Sequence, residues 1–195
     1  MLSASYSELF SADLLAAREI CLNEMGHDFT LSPVFWENWV AQVTGGMVTS
    51  HKAEFDVLAV GWRNFNFEVK FSRAFNSKFD NGVRRVFKWS RTIPQIERAA
   101  QPDAIVLIGA DGGEVWAWAS TSDGIARSTT ITVPCARVGG RNGSRFDALE
   151  VPPADLLPAL MRICHLTYDA AHHAKNAAET RRKRRAAGDL FGGLA

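Results

Sequence analysis

The spacing of apolar residues changes along the chain, and each spacing predicts an element. Leu14, Ala17, Cys21 and Met25 recur three and four apart, the period of one helix face, and Gly26 follows as a stop. This predicts a first helix over about residues 6–25. Ser32 is a good N-cap and Pro33 suits a first helical position, so a second helix runs from there to Gly45 and Gly46. Its buried face is Trp36, Trp39, Val40 and Val43, with Glu37 on the shoulder. Beyond it, two runs at about 53–60 and 65–71 flank the tetrapeptide GWRN and predict an antiparallel hairpin. The next stretch, NGVRRVFKWSRTIPQIERAA, is expected to be helical over about 82–100 and interrupted near Pro94. Val83, Val86 and Phe87 would turn inward, and Arg84, Lys88 and Arg91 would share the opposite face. DAIVLIGADGGEVWAWAS predicts a buried strand, a turn at Asp111 to Gly113, and a strand in which Val115, Ala117 and Ala119 alternate with Trp116 and Trp118. Those two tryptophans are expected to pack rather than to stack on bases. A short strand at about 130–134, a loop bearing Arg137, Arg141 and Arg145, and a helix from Pro153 with Leu157, Leu160 and Cys164 inward follow. A more polar helix leads to the C-terminus.

Composition narrows the class. With 195 residues, 47% hydrophobic and 22% charged, the chain suits one soluble domain, expected over 1–180 with a core at about 30–135, then a basic, flexible tail at 181–195. No apolar run reaches the roughly 18 residues of a membrane span, and the N-terminus carries acids where a signal peptide needs basic charge. A cytoplasmic protein without a membrane partner is therefore expected. Cys21, Cys135 and Cys164 lack CxxC spacing, which argues against a disulfide framework or a zinc ribbon.

The formal net charge of +1 is unevenly spread. Residues 1–180 hold 17 Lys and Arg against 20 Asp and Glu, whereas RRKRR at 181–185 adds five positive charges. Within the slightly acidic body, residues 63–91 carry eight basic side chains against Glu68 and Asp80 alone. A polyanion partner would account for such a stretch.

That basic stretch begins beside the chemistry. Side chains two apart on a strand share a face, so Glu68 and Lys70 lie together, with Phe67, Val69 and Phe71 on the other side. Asp56 belongs to the partner strand, and a register that sets it opposite or diagonal to Glu68 would let the two carboxylates share a divalent cation. Hard oxygen ligands suit Mg²⁺ or Mn²⁺, and a lysine beside them can hold a water, a combination able to cut a phosphodiester.

The segment FDVLAVGWRNFNFEVK resembles the PD-(D/E)XK nuclease superfamily, whose signature is an Asp on one strand and Glu-X-Lys on its neighbour, after a helix carrying a Glu. The resemblance covers about residues 30–120 and implies a restriction-endonuclease-like α/β core, a central mixed sheet flanked by helices, with extra N- and C-terminal helices. By this resemblance Asp56 and Glu68 are metal ligands, Lys70 is the catalytic lysine and Glu37 is the helix carboxylate. No Pro precedes Asp56, Glu54 is a possible extra ligand, and Gln95 is a further candidate on the following helix. The implied protein is a Mg²⁺-dependent DNA endonuclease of restriction or phage type, with Mn²⁺ able to substitute. It would act on double-stranded DNA as a homodimer and leave 5′-phosphate and 3′-hydroxyl ends. Arg73, Arg84, Lys88 and Arg91, with Arg141 and Arg145 in the loop, are the expected nucleic-acid contacts. The alternatives are a Holliday junction resolvase or exonuclease of the same superfamily, or a non-catalytic DNA-binding or assembly protein on the same fold.

Overall fold

The computed structural model describes residues 2–50, 55–60, 64–80, 82–90, 102–121, 125, 130–135 and 147–165. The expected first helix is two helices, α1 (Tyr6–Leu9) and α2 (Ala12–Met25). Ser11 separates them: it takes extended backbone angles and its hydroxyl accepts the Leu14 N–H at 3.3 Å, so a fresh N-cap interrupts what periodicity read as continuous. α2 buries none of its residues, and Met25 of the expected inner stripe is 67% exposed. What seats α2 is polar, a forked pairing of Arg18 with Asp28. Gly26 ends α2 in the left-handed region at φ 63°, a conformation that favours glycine.

The second helix, α3 (Pro33–Thr44), forms as its caps predict and buries Trp36, Trp39, Val40 and Ala41. Seven strands make a mixed sheet: β1 (Ala4–Ser5), β2 (Met47–Val48), β3 (Val57–Val60), β4 (Asn64–Arg73), then β7 (Ala104–Asp111), β8 (Glu114–Ser120) and β10 (Glu150–Val151). Their order is β1-β8-β7-β4-β3-β2, with β10 also on β8. β4 and β7 run parallel, while the other pairings among the described strands of this sheet are antiparallel.

Residues 82–90 correct the reading of a helix there. They form β6 (Gly82–Ser90), paired with β5 (Phe75–Phe79) on one side and β9 (Thr130–Pro134) on the other. The spacing of Val83, Val86 and Phe87 fits either period, but Phe87 and Trp89 are buried at alternate positions and Val83 is 62% exposed. The dipeptide Asn81-Gly82 between two aromatic runs is a hairpin signal, and Gly82 has φ 120° where Phe79 pairs with it. Arg84 and Lys88 still share a side, because a separation of four suits a strand as well as a helix.

β4 of the large sheet runs on into the small one. It ends at Arg73, Ala74 donates its N–H to Ala110 O at 2.9 Å, and the chain continues into β5 of the second sheet. One face of the large sheet packs Phe67, Val69, Val106, Ile108 and Ala117 against α3 and a helix over 156–165, here α4. Trp36 stacks on Phe71 with ring centres 5.7 Å apart. In α4 Leu160 and Cys164 turn inward as expected, while Leu157, also expected inside, is 38% exposed and Leu156 is buried in its place. On the other face, Phe87, Trp89, Ile131 and Val133 of the small sheet meet Ile105, Leu107, Trp116 and Trp118. The fold is thus α/β, a mixed sheet with helices on one side and a second sheet on the other. No helix among the described residues is long and apolar enough to cross a membrane.

Two tests follow from this packing. A Cβ at Gly109 would lie 2.8 Å from the Phe87 ring, so Gly109→Ala should destabilise the protein by about 1–3 kcal/mol in chemical denaturation, and an unchanged midpoint would contradict the packing. Burial pushes the Cys135 thiol up to about 11 and the Cys164 thiol up to about 12, whereas Cys21 is half-buried. In the native protein at pH 8 a thiol reagent should modify Cys21 fast and the other two only after denaturation, because the thiolate is the reactive form.

Candidate active site

β3 and β4 pair with Val57 opposite Phe67 and Leu58 opposite Asn66. Asp56 immediately precedes β3, where the pairing with β4 stops, and its bonds to the backbone of Phe67 and Val69 bring it beside the stretch of β4 that carries Glu68. Asp56 is fixed from three directions. Its N–H donates to Phe67 O at 3.1 Å, its carbonyl accepts the Thr49 N–H at 2.9 Å, and its Oδ2 accepts the Val69 N–H at 2.8 Å. Oδ1 has no hydrogen-bond partner among the described residues.

Alternation along β4 sends Phe67, Val69 and Phe71 toward α3 and Glu68, Lys70 and Ser72 to the opposite face. Glu68 is only 2% exposed, and Lys70 Nζ donates to its Oε1 at 2.5 Å. A carboxylate withdrawn that far from water needs a compensating cation, and Lys70 supplies one from the same strand. The strand β4 therefore carries an ion pair on one face and an aromatic core on the other.

Ser72, a residue that the sequence reading passed over, continues this row. It is buried, and its hydroxyl donates to Arg73 O at 3.1 Å and accepts the Lys88 N–H at 2.9 Å, which ties β6 to the strand that carries Glu68 and Lys70. The alternating sequence Glu68, Lys70, Ser72 was the available signal. Asp103 was also missed. It exchanges backbone and side-chain bonds with Asn66, each at 2.8 Å, where β4 and β7 begin, and burial holds its carboxyl above the ordinary range.

The other expected residues scatter. Glu37 is half-buried on α3, the helix that covers the opposite face of the sheet from Glu68 and Lys70. Arg73 is exposed at the end of β4 and lines a cavity of about 260 Å³ with Arg18, Asp28, Arg85 and Asp111. Arg84 and Lys88 lie on β6. Glu54, Arg91, Gln95, Arg141, Arg145 and the tail at 181–195 fall outside the described residues.

Among the described residues no three His, Cys, Asp or Glu side chains gather as a metal centre. Carboxylates are the oxygen ligands that Mg²⁺ and Mn²⁺ take while keeping most of their waters, and Asp56 and Glu68 are the two that meet β4 at adjoining residues. Comparisons of the chain with protein-family models, with curated proteins and with solved structures return no match.

Replacing Lys70 by Met should cost about 3–5 kcal/mol, since it strands the Glu68 carboxylate inside the protein. Glu68→Gln combined with Lys70→Met should recover much of that loss, which a denaturation double-mutant cycle would measure.

Proposed function

We propose that this chain is a Mg²⁺-dependent DNA endonuclease that hydrolyses phosphodiester bonds to 5′-phosphate and 3′-hydroxyl ends. The observation that carries this reading is the Asp56 carboxylate bonded to the Val69 amide, one residue from Glu68 on β4, with Lys70 bonded to Glu68. The strand arrangement adds support. A helix, a meander β2-β3-β4 and a later strand β7 parallel to β4 follow the order that the resemblance to the PD-(D/E)XK superfamily implies. The helix of that core between the third and fourth strands has no described counterpart, since 82–90 is a strand and 91–101 lie outside the described residues.

A bound divalent cation would supply a water acidified for attack and positive charge against the pentacoordinate phosphate. The protein's own groups do the positioning. Asp56 is held by the Val69 amide, so the oxygen that it offers arrives preorganised. Glu68 is fixed by its burial and by Lys70. Lys70, with 21% of its side chain exposed, can reach both Glu68 and the attacking water, orienting that water by donating one of its three N–H groups. Glu37 has no assigned step.

Supercoiled plasmid incubated with Mg²⁺ should be nicked or linearised, EDTA should abolish the activity, and Mn²⁺ should restore it. Asp56→Asn and Glu68→Gln should each reduce the rate at least about 100-fold, the scale expected when a metal ligand is lost. Wild-type protein that cuts no plasmid, linear or branched DNA would overturn the reading. Discrete fragments, progressive shortening or cutting only at junctions would assign it to restriction-type, exonuclease or resolvase activity respectively.

A further inference from the structure

The β5–β6 hairpin carries three large apolar side chains in water: Phe75 is 38% exposed, Phe79 41% and Val83 62%. Lys78, Arg84 and Lys88 stand among them, and Asp80 is the one acid between Phe75 and Ser90. Phe87 and Trp89 point into the core, and Arg84 and Lys88 lie on the opposite face of β6, on either side of the buried Val86. The register sets Ser77 opposite Arg84 and Phe79 opposite Gly82, which places Arg84 beside Phe79 on that outer face. Its guanidinium lies 5.6 Å from the centre of the Phe79 ring, a cation–π contact that limits the freedom of an otherwise mobile side chain.

We propose that this two-stranded ribbon enters the major groove of duplex DNA, with Arg84 and Phe79 on base edges and Lys88 on phosphates. The proposal deepens the nuclease reading above and rests on it for the site that the ribbon serves. The charge of the ribbon complements a polyanion rather than a neutral protein surface, and its apolar residues suit the one groove that displays thymine methyl groups. The width of a two-stranded ribbon also matches the major groove. An arginine held over an aromatic ring is preorganised for the forked contact with guanine O6 and N7. The ribbon is also joined to the candidate site. β4 leads into β5 through Ala74 alone, and the Ser72 hydroxyl accepts the Lys88 N–H at 2.9 Å, so docking the ribbon fixes where the Glu68 and Lys70 strand meets the duplex.

The test is fluorescence anisotropy of the full chain with a labelled mixed-sequence duplex of about 30 base pairs and the matching single strand, with Ca²⁺ in place of Mg²⁺. Phe79→Ser and Arg84→Ala should each weaken duplex binding at least about tenfold, while Arg162→Ala on the exposed side of α4 stays within about twofold. The slope of log affinity against log salt should fall by about one for Lys88→Ala and stay unchanged for Phe79→Ser. Circular dichroism melting keeps loss of fold separate, since all four side chains are at the surface or half-exposed. Variants that bind the duplex as wild type does, a loss confined to the single strand, or a wild type that binds no duplex would each overturn the proposal. Ribbon-dependent binding by a protein that never cuts would retain the ribbon and remove the nuclease reading. Cutting that is indifferent to Phe79 and Arg84 would do the reverse.

Discussion

The rest of the structure depends on how strand β4 keeps a carboxylate out of water. Glu68 is nearly inaccessible, and Lys70, two residues along and on the same face, donates to it and offsets the cost of burying its charge. The same alternation commits Phe67, Val69 and Phe71 to the opposite face, where α3 covers them. One strand therefore satisfies an aromatic core and a polar site at once. A shift of its register by a single residue would bury Lys70 among tryptophans and expose the phenylalanines. The polar pair is thus a determinant of the fold as well as its candidate chemistry.

Around that strand, rigidity arises from connections that leave few degrees of freedom. Asp56 is held by its amide, its carbonyl and its carboxylate, each to a different residue of the neighbouring chain. Ala74 carries β4 across into the small sheet, and Gly109 lets the Phe87 ring close against β7 where any side chain would collide with it. Ser72 closes the circuit by accepting the Lys88 amide. Movement of the outer hairpin would have to be transmitted to Lys70 through two residues of extended backbone, so the ribbon and the site behave as parts of one element.

Much of this was legible in the sequence where local chemistry and periodicity agreed. α3 had an N-cap, a proline and a glycine stop in the right places, and the turn ADGG between two apolar runs fixed β7 and β8. The face shared by Glu68 and Lys70 followed from the period of a strand alone. The errors arose where one pattern served two periods. Val83, Val86 and Phe87 can lie on one helix face, and only the alternation of Phe87 with Trp89, and the Asn-Gly turn before them, argue for a strand. Ser11 broke the first helix because a hydroxyl that caps the next turn competes with helix continuation, an effect that apolar spacing does not register. On α4 Leu160 and Cys164 were placed correctly, but Leu156 and Leu157 are equally apolar and only the sheet beneath decides which is covered.

Charge at the surface is better understood by asking which cations are already committed. Arg18 is forked onto Asp28 and Arg85 onto Asp111, so two arginines of the cavity at the end of β4 are neutralised in place. Lys70 is spent on Glu68. The positive charge that a count along residues 63–91 assigns to one basic stretch is therefore divided in the folded protein. Arg73, Lys78, Arg84 and Lys88 form no ion pair among the described residues and lie at the end of β4 or on the hairpin that extends it. Under the nuclease proposal the two groups would act in turn: the uncommitted cations on the hairpin would grip a polyanion beside Asp56 and Glu68, and a divalent cation bound there would then make close approach of the phosphate favourable.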